Sequence, residues 1–370
     1  MLFRSGFYQV ALNEKIQNEK DASEILYGKR NVNNNYEKLK SYFLTRSLNN
    51  ITFFDLAKEG ASEHTKAIYK CYKYLFFVHV LLVLGSRTGA IQFAKKILHL
   101  ADRFELHFIA ADLLDELRKH ALQVGRQRDY LRYEQLLNRH IELLTIELQI
   151  RGIAGRVAIQ FTKSLFVEEK IKDEVNSSLK AVTALLKKRE SYFGRLSYYR
   201  LLYIHYQVQG DPTKSIAACN KAIAFMTRNL HMSPASRFGE FALYKLENFI
   251  LIRDFVRGQQ AASYCEKYIK PGMNLWFTYK EYQFLLAMQT LNFTTAERIY
   301  HDVISHERYS TLLPHNKEKW DIFNKVLASS QEIEKITFIC LLAAACYQRN
   351  FTLHQRLLDA IETHRGSDSV

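Results

Sequence analysis

Proline and glycine are scarce in this chain, and that scarcity already limits the fold. The 370 residues include only four prolines and fourteen glycines. Both residues destabilise helix interiors, so their shortage favours long helical segments. Runs of alternating β-branched residues between turn pairs such as Asn-Gly are also missing, which argues against a sheet protein. The sequence therefore predicts an all-α protein, and a hydrophobic content of 48% is enough for a large core.

Long apolar runs and closely spaced cysteines are missing as well. The longest apolar runs, 74–84 and 338–346, are too short to cross a bilayer, and the N-terminus lacks the apolar core of a signal peptide. We therefore expect a soluble, cytoplasmic protein with no membrane span. No two cysteines have the spacing of a zinc or redox motif, which predicts buried free thiols in a reducing compartment. The cysteines are Cys71, Cys219, Cys265, Cys340 and Cys346.

Motifs that carry catalytic chemistry are also missing. The chain contains no His-Glu-x-x-His and no Gly-x-Ser-x-Gly. Residues 85–90 and 151–156 have the glycine spacing of a crude phosphate loop but lack its Lys-Ser/Thr, so each is predicted to be a turn between helices. His301, His306 and His315 do not have the three- or four-residue spacing of metal ligands on one helical face. We therefore expect a protein that is not an enzyme and needs no cofactor or metal.

One stretch, residues 197–227, indicates most clearly how the chain is built. Its first apolar side chains, within 199–206, recur at three- and four-residue spacing and so lie on one helical face. Gly210 permits the positive φ that ends a helix, and Asp211 and Pro212 suit the cap and first position of the next helix. A second apolar stripe follows. Two helices this short cannot bury both faces alone, so the pattern predicts stacked copies.

This unit resembles a tetratricopeptide repeat, a helix pair of about 34 residues. The matching positions are two aromatics and a leucine of the first helix, the turn, the small position and the late Ala-Leu pair: Tyr199, Leu202, Tyr206, Gly210, Asp211, Ser215, Ala222 and Ile223. Tyr203 and Thr227 depart from it, since the family favours Gly and Pro there. The resemblance implies a right-handed α-solenoid whose groove, lined by the first helix of each pair, binds peptides or partner proteins. The alternative is a generic antiparallel helix pair in a bundle.

Similar turn signals recur along the chain. In most of them Asp or Asn precedes an aromatic residue or proline, which would cap the second helix and pack under the turn. Asp173 is predicted to be a degenerate turn between the second and central units. The other predicted turns are at Gly85, Asp129, Asp211, Asp254, Asn292 and Asn350.

These signals divide the chain into three parts. Residues 1–60, with helical patterns at 2–27 and 36–48, form a predicted N-terminal helical cap. Residues 61–365 form a predicted solenoid of about six or seven tetratricopeptide-like helix pairs. Residues 366–370 are polar and are expected to form a frayed tail.

The resemblance assigns candidate groove positions residue by residue. It points to His79 in the first unit, to Asp115 and Lys119 in the second, and to Arg200 and Gln207 in the central unit. His79 could instead be a core histidine bonded to the backbone. Asp115 could instead belong to a solvated face paired with neighbouring cations.

Positive charge is the other prominent feature, with a net charge of +14. The second of two basic stretches is interleaved with aromatic residues, and cations beside aromatics suit single-stranded nucleic acid. A solvated basic face and a surface for an acidic protein are the alternatives. The candidate basic patch consists of Arg126, Arg128, Arg132, Lys187, Lys188, Arg189 and Arg195.

Together these features predict a non-catalytic scaffold or adaptor that binds a protein or peptide, with acidic partners favoured by the charge. Two alternatives stay open. One is a basic helical-repeat protein that binds RNA or single-stranded DNA, and the other is a peptide-sensing regulatory protein.

Overall fold

The computed structural model describes residues 19–28, 34–51, 61–163, 169–272, 274–312 and 314–328. Throughout these ranges the secondary structure is helical and no strand occurs, which confirms the prediction of an all-α protein. The chain divides into two compact units, and the division falls after Ala61.

The first unit contains two described helices, α1 (Glu19–Tyr27) and α2 (Asn34–Ile51). Ala22 and Tyr36 form their small buried core. An ion pair between Lys40 and Glu19 joins the two helices on the outside. The helical pattern over 2–27 is confirmed only for its last part, because residues 1–18 lie outside the described ranges.

The second unit contains twelve α-helices in its described residues. They are α3 (Glu63–Val83), α4 (Arg87–Arg103), α5 (His107–Gln123), α6 (Gln127–Lys163), α7 (Glu169–Lys188), α8 (Tyr192–Val208), α9 (Pro212–Arg228), α10 (Ala235–Leu251), α11 (Phe255–Tyr268), α12 (Asn274–Gln289), α13 (Phe293–Ile304) and α14 (Pro314–Leu327). Short 3₁₀ helices lie at Leu230–Met232 and Glu307–Thr311.

Six helix ends in this unit share one turn geometry. A residue with positive φ donates its N–H to the carbonyl three residues earlier, and the next residue donates to the carbonyl five residues earlier. These are the two hydrogen bonds of a Schellman motif, which satisfies the free carbonyls at the end of a helix. The residues with positive φ are Gly85, Glu105, Gly125, Gly210, Arg253 and Leu291.

A small residue follows most of these turns at a fixed distance. In five of the six turns, the residue five positions after the left-handed one is Ala, Ser or Gly, and it is buried. Its small size lets the start of the new helix approach the neighbouring helices closely. These residues are Ala90, Ala110, Ser215, Gly258 and Ala296. Tyr130, after Gly125, is the exception.

Four of the predicted turns are confirmed. Gly85 ends α3 in the left-handed conformation. Asp211, Asp254 and Asn292 each cap the helix that follows, and each side chain accepts a backbone N–H three residues later. Asn350 lies outside the described residues.

Other predicted turns are wrong. Asp129 lies in the first turn of α6, because the chain turns earlier, at Gly125. The glycines of 151–156 lie inside the same 37-residue helix, where the flanking Ile150 and Val157 are buried. Their packing outweighs the low helix propensity of glycine. Asp173 lies within α7, so it does not form a turn. Two helices, the long α6 and the additional α7, therefore precede the central unit at 197–227.

Each helix of the second unit packs against the next one along the chain, from α3 to α14. Direct contacts also join α3 with α5, α6 with α8 and α10 with α12. Three buried clusters fill the interior, one from α3 to α5, one mainly from α6 to α10 and one from α10 to α14. In the last cluster, Phe284 stacks on Phe323 with ring centroids 4.2 Å apart. Helix α3 also contacts the 3₁₀ helix at Leu230–Met232.

Three cysteines belong to these clusters. Cys71, Cys219 and Cys265 are buried and not disulfide-bonded, which confirms the prediction of buried free thiols at these positions. Burial raises the pKa of Cys71 to about 11, so its thiol is protonated near neutral pH. Cys340 and Cys346 lie outside the described ranges.

None of the helices in the described ranges is long and apolar enough to span a membrane.

The close approach of α6, α7 and α8 at Gly194 gives a testable consequence. A Cβ atom there would lie 2.8 Å from Ser191 Oγ, 3.1 Å from Leu186 Cδ2 and 3.2 Å from Ile150 Cδ1. We therefore expect Gly194→Ala to lower the free energy of unfolding by about 1–3 kcal/mol, because a filled core resists an added methyl group. Urea unfolding followed by circular dichroism measures this.

Gly152→Ala is the matched control. Its nearest new neighbour would be Arg156 Nη1 at 3.7 Å, so the added methyl group has room. Alanine is the better helix former, and we expect this variant to be neutral or more stable by up to about 1 kcal/mol. Equal destabilisation by both substitutions would contradict the close packing at Gly194.

Candidate functional site

The central predicted groove residue, Arg200, lies at a polar contact between α8 and α10. Its Nη2 donates to Glu240 Oε2 at 2.5 Å. The same carboxylate accepts hydrogen bonds from Arg237 Nη1 at 3.0 Å and from the Tyr244 hydroxyl at 3.1 Å. Glu240 thus holds two arginines and a tyrosine together.

Further along the two helices the contact continues. The rings of Tyr203 and Tyr244 are stacked with centroids 4.0 Å apart. Gln207 Nε2 donates to Asn248 Oδ1 at 2.7 Å and to Ser215 Oγ at 3.2 Å. Asn248 is fully buried and donates to the Tyr244 carbonyl at 2.6 Å. Gln207, predicted to face a ligand, is therefore engaged inside the protein.

The other predicted groove residues lie on α3 and α5. His79 Nε2 is 3.1 Å from Asp112 Oδ2, and the His79 side chain is 44% exposed, so the interpretation as a core histidine bonded to backbone is wrong. Asp115 pairs with Arg118 at 2.6 Å and with Lys119 at 2.8 Å. The hydrogen bond from Lys119, together with Arg118, lowers the pKa of Asp115.

A cavity of about 620 Å³ lies among α3, α5, α6, α8 and α10. Arg200 lines it, but His79, Asp115, Lys119 and Gln207 do not. The structure thus brings only one of the five predicted groove residues to this cavity.

The cavity is lined largely by apolar and aromatic side chains, with a few charged groups among them. Tyr72 and Phe108 line it while 53% and 59% exposed, so both present apolar surface to solvent. Three arginines line the same space: Arg151, Arg200 and Arg237. The size and the mixed lining are typical of ligand sites.

Three buried polar atoms of the cavity lining have no hydrogen-bond partner among the described residues. They are His64 Nε2, His107 Nε2 and Arg200 Nε. Leaving such an atom unsatisfied costs about 1–3 kcal/mol. All three residues line the same cavity, so its wall holds several polar groups whose hydrogen-bonding capacity is not used within the described residues.

A buried histidine pair forms part of the wall behind the cavity. The Nδ1 atoms of His107 and His140 are 3.1 Å apart, and His140 Nε2 is 3.4 Å from Asp102 Oδ1. Burial, together with the neighbouring His140, lowers the pKa of His107 to about 4. Burial also lowers the pKa of His140, with Asp102 opposing it. Both rings are therefore neutral near pH 7.

Two carboxyl groups accompany this pair. The carboxylate of Glu105 accepts the backbone N–H of Tyr192 at 2.7 Å, which ties the start of α8 to the turn after α4. Burial raises the pKa of Glu105. Burial also raises the pKa of Glu147 to about 6, although Arg151 lies 3.3 Å away and opposes the shift.

A second cleft, of about 770 Å³, shares Glu105 and His107 with this cavity, since both residues line both spaces. The structure brings four of the predicted basic-patch residues to this cleft: Lys187, Lys188, Arg189 and Arg195. Arg139 of α6 joins them. The other three, Arg126, Arg128 and Arg132, are exposed near the start of α6 and do not line it.

The buried histidine pair was not predicted from the sequence. His107 and His140 are 33 residues apart and meet only when α5 packs on α6. One signal was present, because His140 and Glu147 share the helical stripe that carries the buried Leu137. Polar residues on an apolar stripe mark such sites. No set of three or more His, Cys, Asp or Glu side chains within the described ranges could hold a metal ion.

Comparisons with known proteins give no relative. The chain matches no protein-family model, no curated protein and no solved structure.

The hydrogen bond between Gln207 and Asn248 can be tested by a double-mutant cycle. We expect Gln207→Ala and Asn248→Ala each to cost about 1–3 kcal/mol of unfolding free energy. The first leaves the buried Asn248 Oδ1 without its donor, and the second leaves Gln207 with Ser215 as its remaining acceptor. The double variant should cost less than the sum, by about 1 kcal/mol. Urea unfolding of the four proteins measures the coupling. Strictly additive losses would show that the two side chains do not stabilise each other.

The shifted pKa values of His107 and Glu147 predict how the free energy of unfolding depends on pH. The folded-state pKa of His107, about 4, lies below its ordinary value of 6.5, so between these values the unfolded chain binds the extra proton. The free energy of unfolding should therefore fall as the pH drops from 6.5 towards 4. His107 alone contributes up to roughly 3 kcal/mol, since a tenfold change in proton affinity corresponds to about 1.4 kcal/mol.

Two variants separate the contributions. His107→Gln removes the histidine and should flatten the pH profile. Glu147 has the opposite sign, because its pKa is raised from 4.5 to about 6 and the folded state takes the proton first. Glu147→Gln should therefore steepen the loss of stability on acidification. Urea unfolding at several pH values checks both, and unchanged slopes in both variants would contradict the assignment.

Proposed function

We propose that this protein is a non-catalytic scaffold or adaptor that binds a segment of a partner protein in the cavity among α3, α5, α6, α8 and α10. The observation that carries the proposal is the lining of this cavity, which combines the exposed aromatic rings of Tyr72 and Phe108 with charged side chains. Three further lining residues, His64, His107 and Arg200, each hold a buried polar atom without a partner among the described residues. An extended segment suits such a lining, because its backbone donors and acceptors pair with polar side chains while its own side chains pack on the aromatic rings.

The lining also indicates what the segment would contain. Tyr72 and Phe108 offer partly exposed rings against which an apolar anchor residue could be buried. Arg200 and Arg237 share the single carboxylate of Glu240, so one positive charge there is not balanced by that carboxylate. This excess favours a carboxylate beside the anchor, since guanidinium groups bind carboxylates well. The net charge of +14 favours acidic partners in the same way.

We further propose that residues 61–365 form a right-handed solenoid of tetratricopeptide-like helix pairs, with residues 1–60 as a helical cap. The repeated Schellman turn and the small residue five positions later support a repeating unit. Five pairs are described: α3–α4, α5–α6, α8–α9, α10–α11 and α12–α13. α7 is an insertion in this scheme, and α14 with the turn expected at Asn350 would extend it to six pairs.

Selection from a random peptide library tests the binding function. Peptides of about twelve residues, displayed on phage and selected on the immobilised full-length chain, should converge on a sequence with an apolar anchor and an acidic residue. Their affinity for the purified protein is then measured by fluorescence anisotropy.

Two variants at the rim of the cavity and one control complete the test. Phe108→Ser and Tyr72→Ser should each weaken the selected peptides about tenfold or more, because each removes an anchor surface. Both side chains are more than half exposed, so stability should change little. Leu122→Ser is the control, since Leu122 is 68% exposed on α5 but does not line the cavity. No converging sequence, or equal losses in all three variants, would contradict the proposal.

A further inference from the structure

The second cleft, of about 770 Å³, has no part in the proposed peptide site, and we call it the basic cleft after its lining. Five cations line it, Arg139, Lys187, Lys188, Arg189 and Arg195, together with three acidic residues. Each of the acidic residues already has a partner. Glu190 pairs with Arg195 at 2.6 Å, and Glu105 accepts the Tyr192 N–H. Asp102 lies 3.4 Å from His140, which is neutral near pH 7, so the charge of Asp102 offsets one of the five cations.

Several of the cations, in contrast, make no ion pair within the described part of the chain. Arg189 pairs with Glu142 at 3.0 Å and Arg195 pairs with Glu190. Among the described residues, no carboxylate lies within 4.0 Å of the charged groups of Arg139, Lys187 and Lys188. Both lysines are exposed at the end of α7. The positive charge of the cleft is therefore available to an outside anion.

The charge continues beyond the cleft along α6. Arg128, Arg132 and Arg139 follow at spacings of four and seven residues, which places them on one face of the helix. All three are exposed, and none has an ion-pair partner among the described residues. At a rise of 1.5 Å per residue they span about 16 Å. A single mononucleotide in the cleft could not contact the whole row.

An aromatic side chain lies at the edge of the cleft. Tyr198 is partly exposed and lines the cleft, and the guanidinium of Arg195 lies 5.7 Å from the centre of its ring. Tyrosine rings beside cations form stacking platforms for unpaired bases. An acidic peptide would use the charges but not the ring.

We propose that the basic cleft and the arginine row on α6 bind single-stranded nucleic acid. Lys187, Lys188 and Arg139 contact phosphates within the cleft, and Arg128 and Arg132 contact phosphates further along the strand. Tyr198 stacks on a base. This site is separate from the proposed peptide cavity, although Glu105 and His107 line both spaces.

Fluorescence anisotropy with labelled oligouridine and oligothymidine of about twenty nucleotides tests the proposal. Binding should be detectable at about 50 mM salt, and log K should fall linearly with log salt concentration. Two double variants, Lys187→Gln/Lys188→Gln and Arg128→Gln/Arg132→Gln, should each weaken binding about tenfold. Each should also reduce the salt slope by about 1.4, the value for two lost phosphate contacts on a single strand.

Lys221→Gln/Arg298→Gln is the matched control, because it removes the same charge from exposed positions on α9 and α13 that do not line the cleft. It should change affinity less than threefold, within the effect of net charge alone. Phe108→Ser, which alters the peptide cavity, should bind the oligonucleotides unchanged. Circular dichroism confirms that each variant is folded.

Four outcomes would overturn the proposal. The first is no binding at low salt, and the second is an equal loss in the control. The third is unchanged binding in the Arg128→Gln/Arg132→Gln variant, which would limit the site to a small phosphorylated ligand in the cleft. The fourth is displacement of oligouridine by polyglutamate of equal charge as effectively as by unlabelled oligouridine, which would indicate a site for acidic peptides.

Discussion

The second unit depends on one local constraint, the closing of helix ends by a left-handed residue. At six helix ends the same two backbone hydrogen bonds satisfy the terminal carbonyls and turn the chain into the next helix. Glycine adopts this conformation without strain at Gly85, Gly125 and Gly210, whereas Glu105 adopts it at a cost of about 1 kcal/mol or more. Because consecutive helices pack directly against each other, the geometry of each turn decides which side chains meet across the helices that follow.

Glu105 takes part both in one of these turns and in the lining of the cavity and the basic cleft. Its left-handed backbone ends α4, while its carboxylate accepts the N–H of Tyr192 at the start of α8, 87 residues later. The same short turn brings His107 against His140 of α6. Glu105 and His107 therefore line both the cavity and the basic cleft. Under our proposals, a protein segment and a nucleic acid strand would bind in two spaces that share these two lining residues.

Much of the fold was predictable, because its signals are local. The shortage of Pro and Gly indicated helices, and the caps Asp211, Asp254 and Asn292 follow from hydrogen bonds within four residues. The turn at Glu105 has no such signal, since only the rest of the structure holds a glutamate in that conformation. The site was less predictable. Arg200, which the resemblance assigned to a groove, lines the cavity, but Gln207 is bonded to Asn248 of another helix. The pairing of His107 with His140 depends on packing between helices.

Hydrogen–deuterium exchange of the full chain, with and without a peptide selected on it, tests the central claim most directly, namely that the cavity is where a partner segment binds. The helices that line the cavity carry its unpartnered polar atoms, so ordering by a ligand should slow amide exchange there. Our account predicts slower exchange at the start of α3, the start of α5 and the first half of α8, with no change in α13. Protection confined to helices away from the cavity, or no protection at saturating peptide, would contradict it.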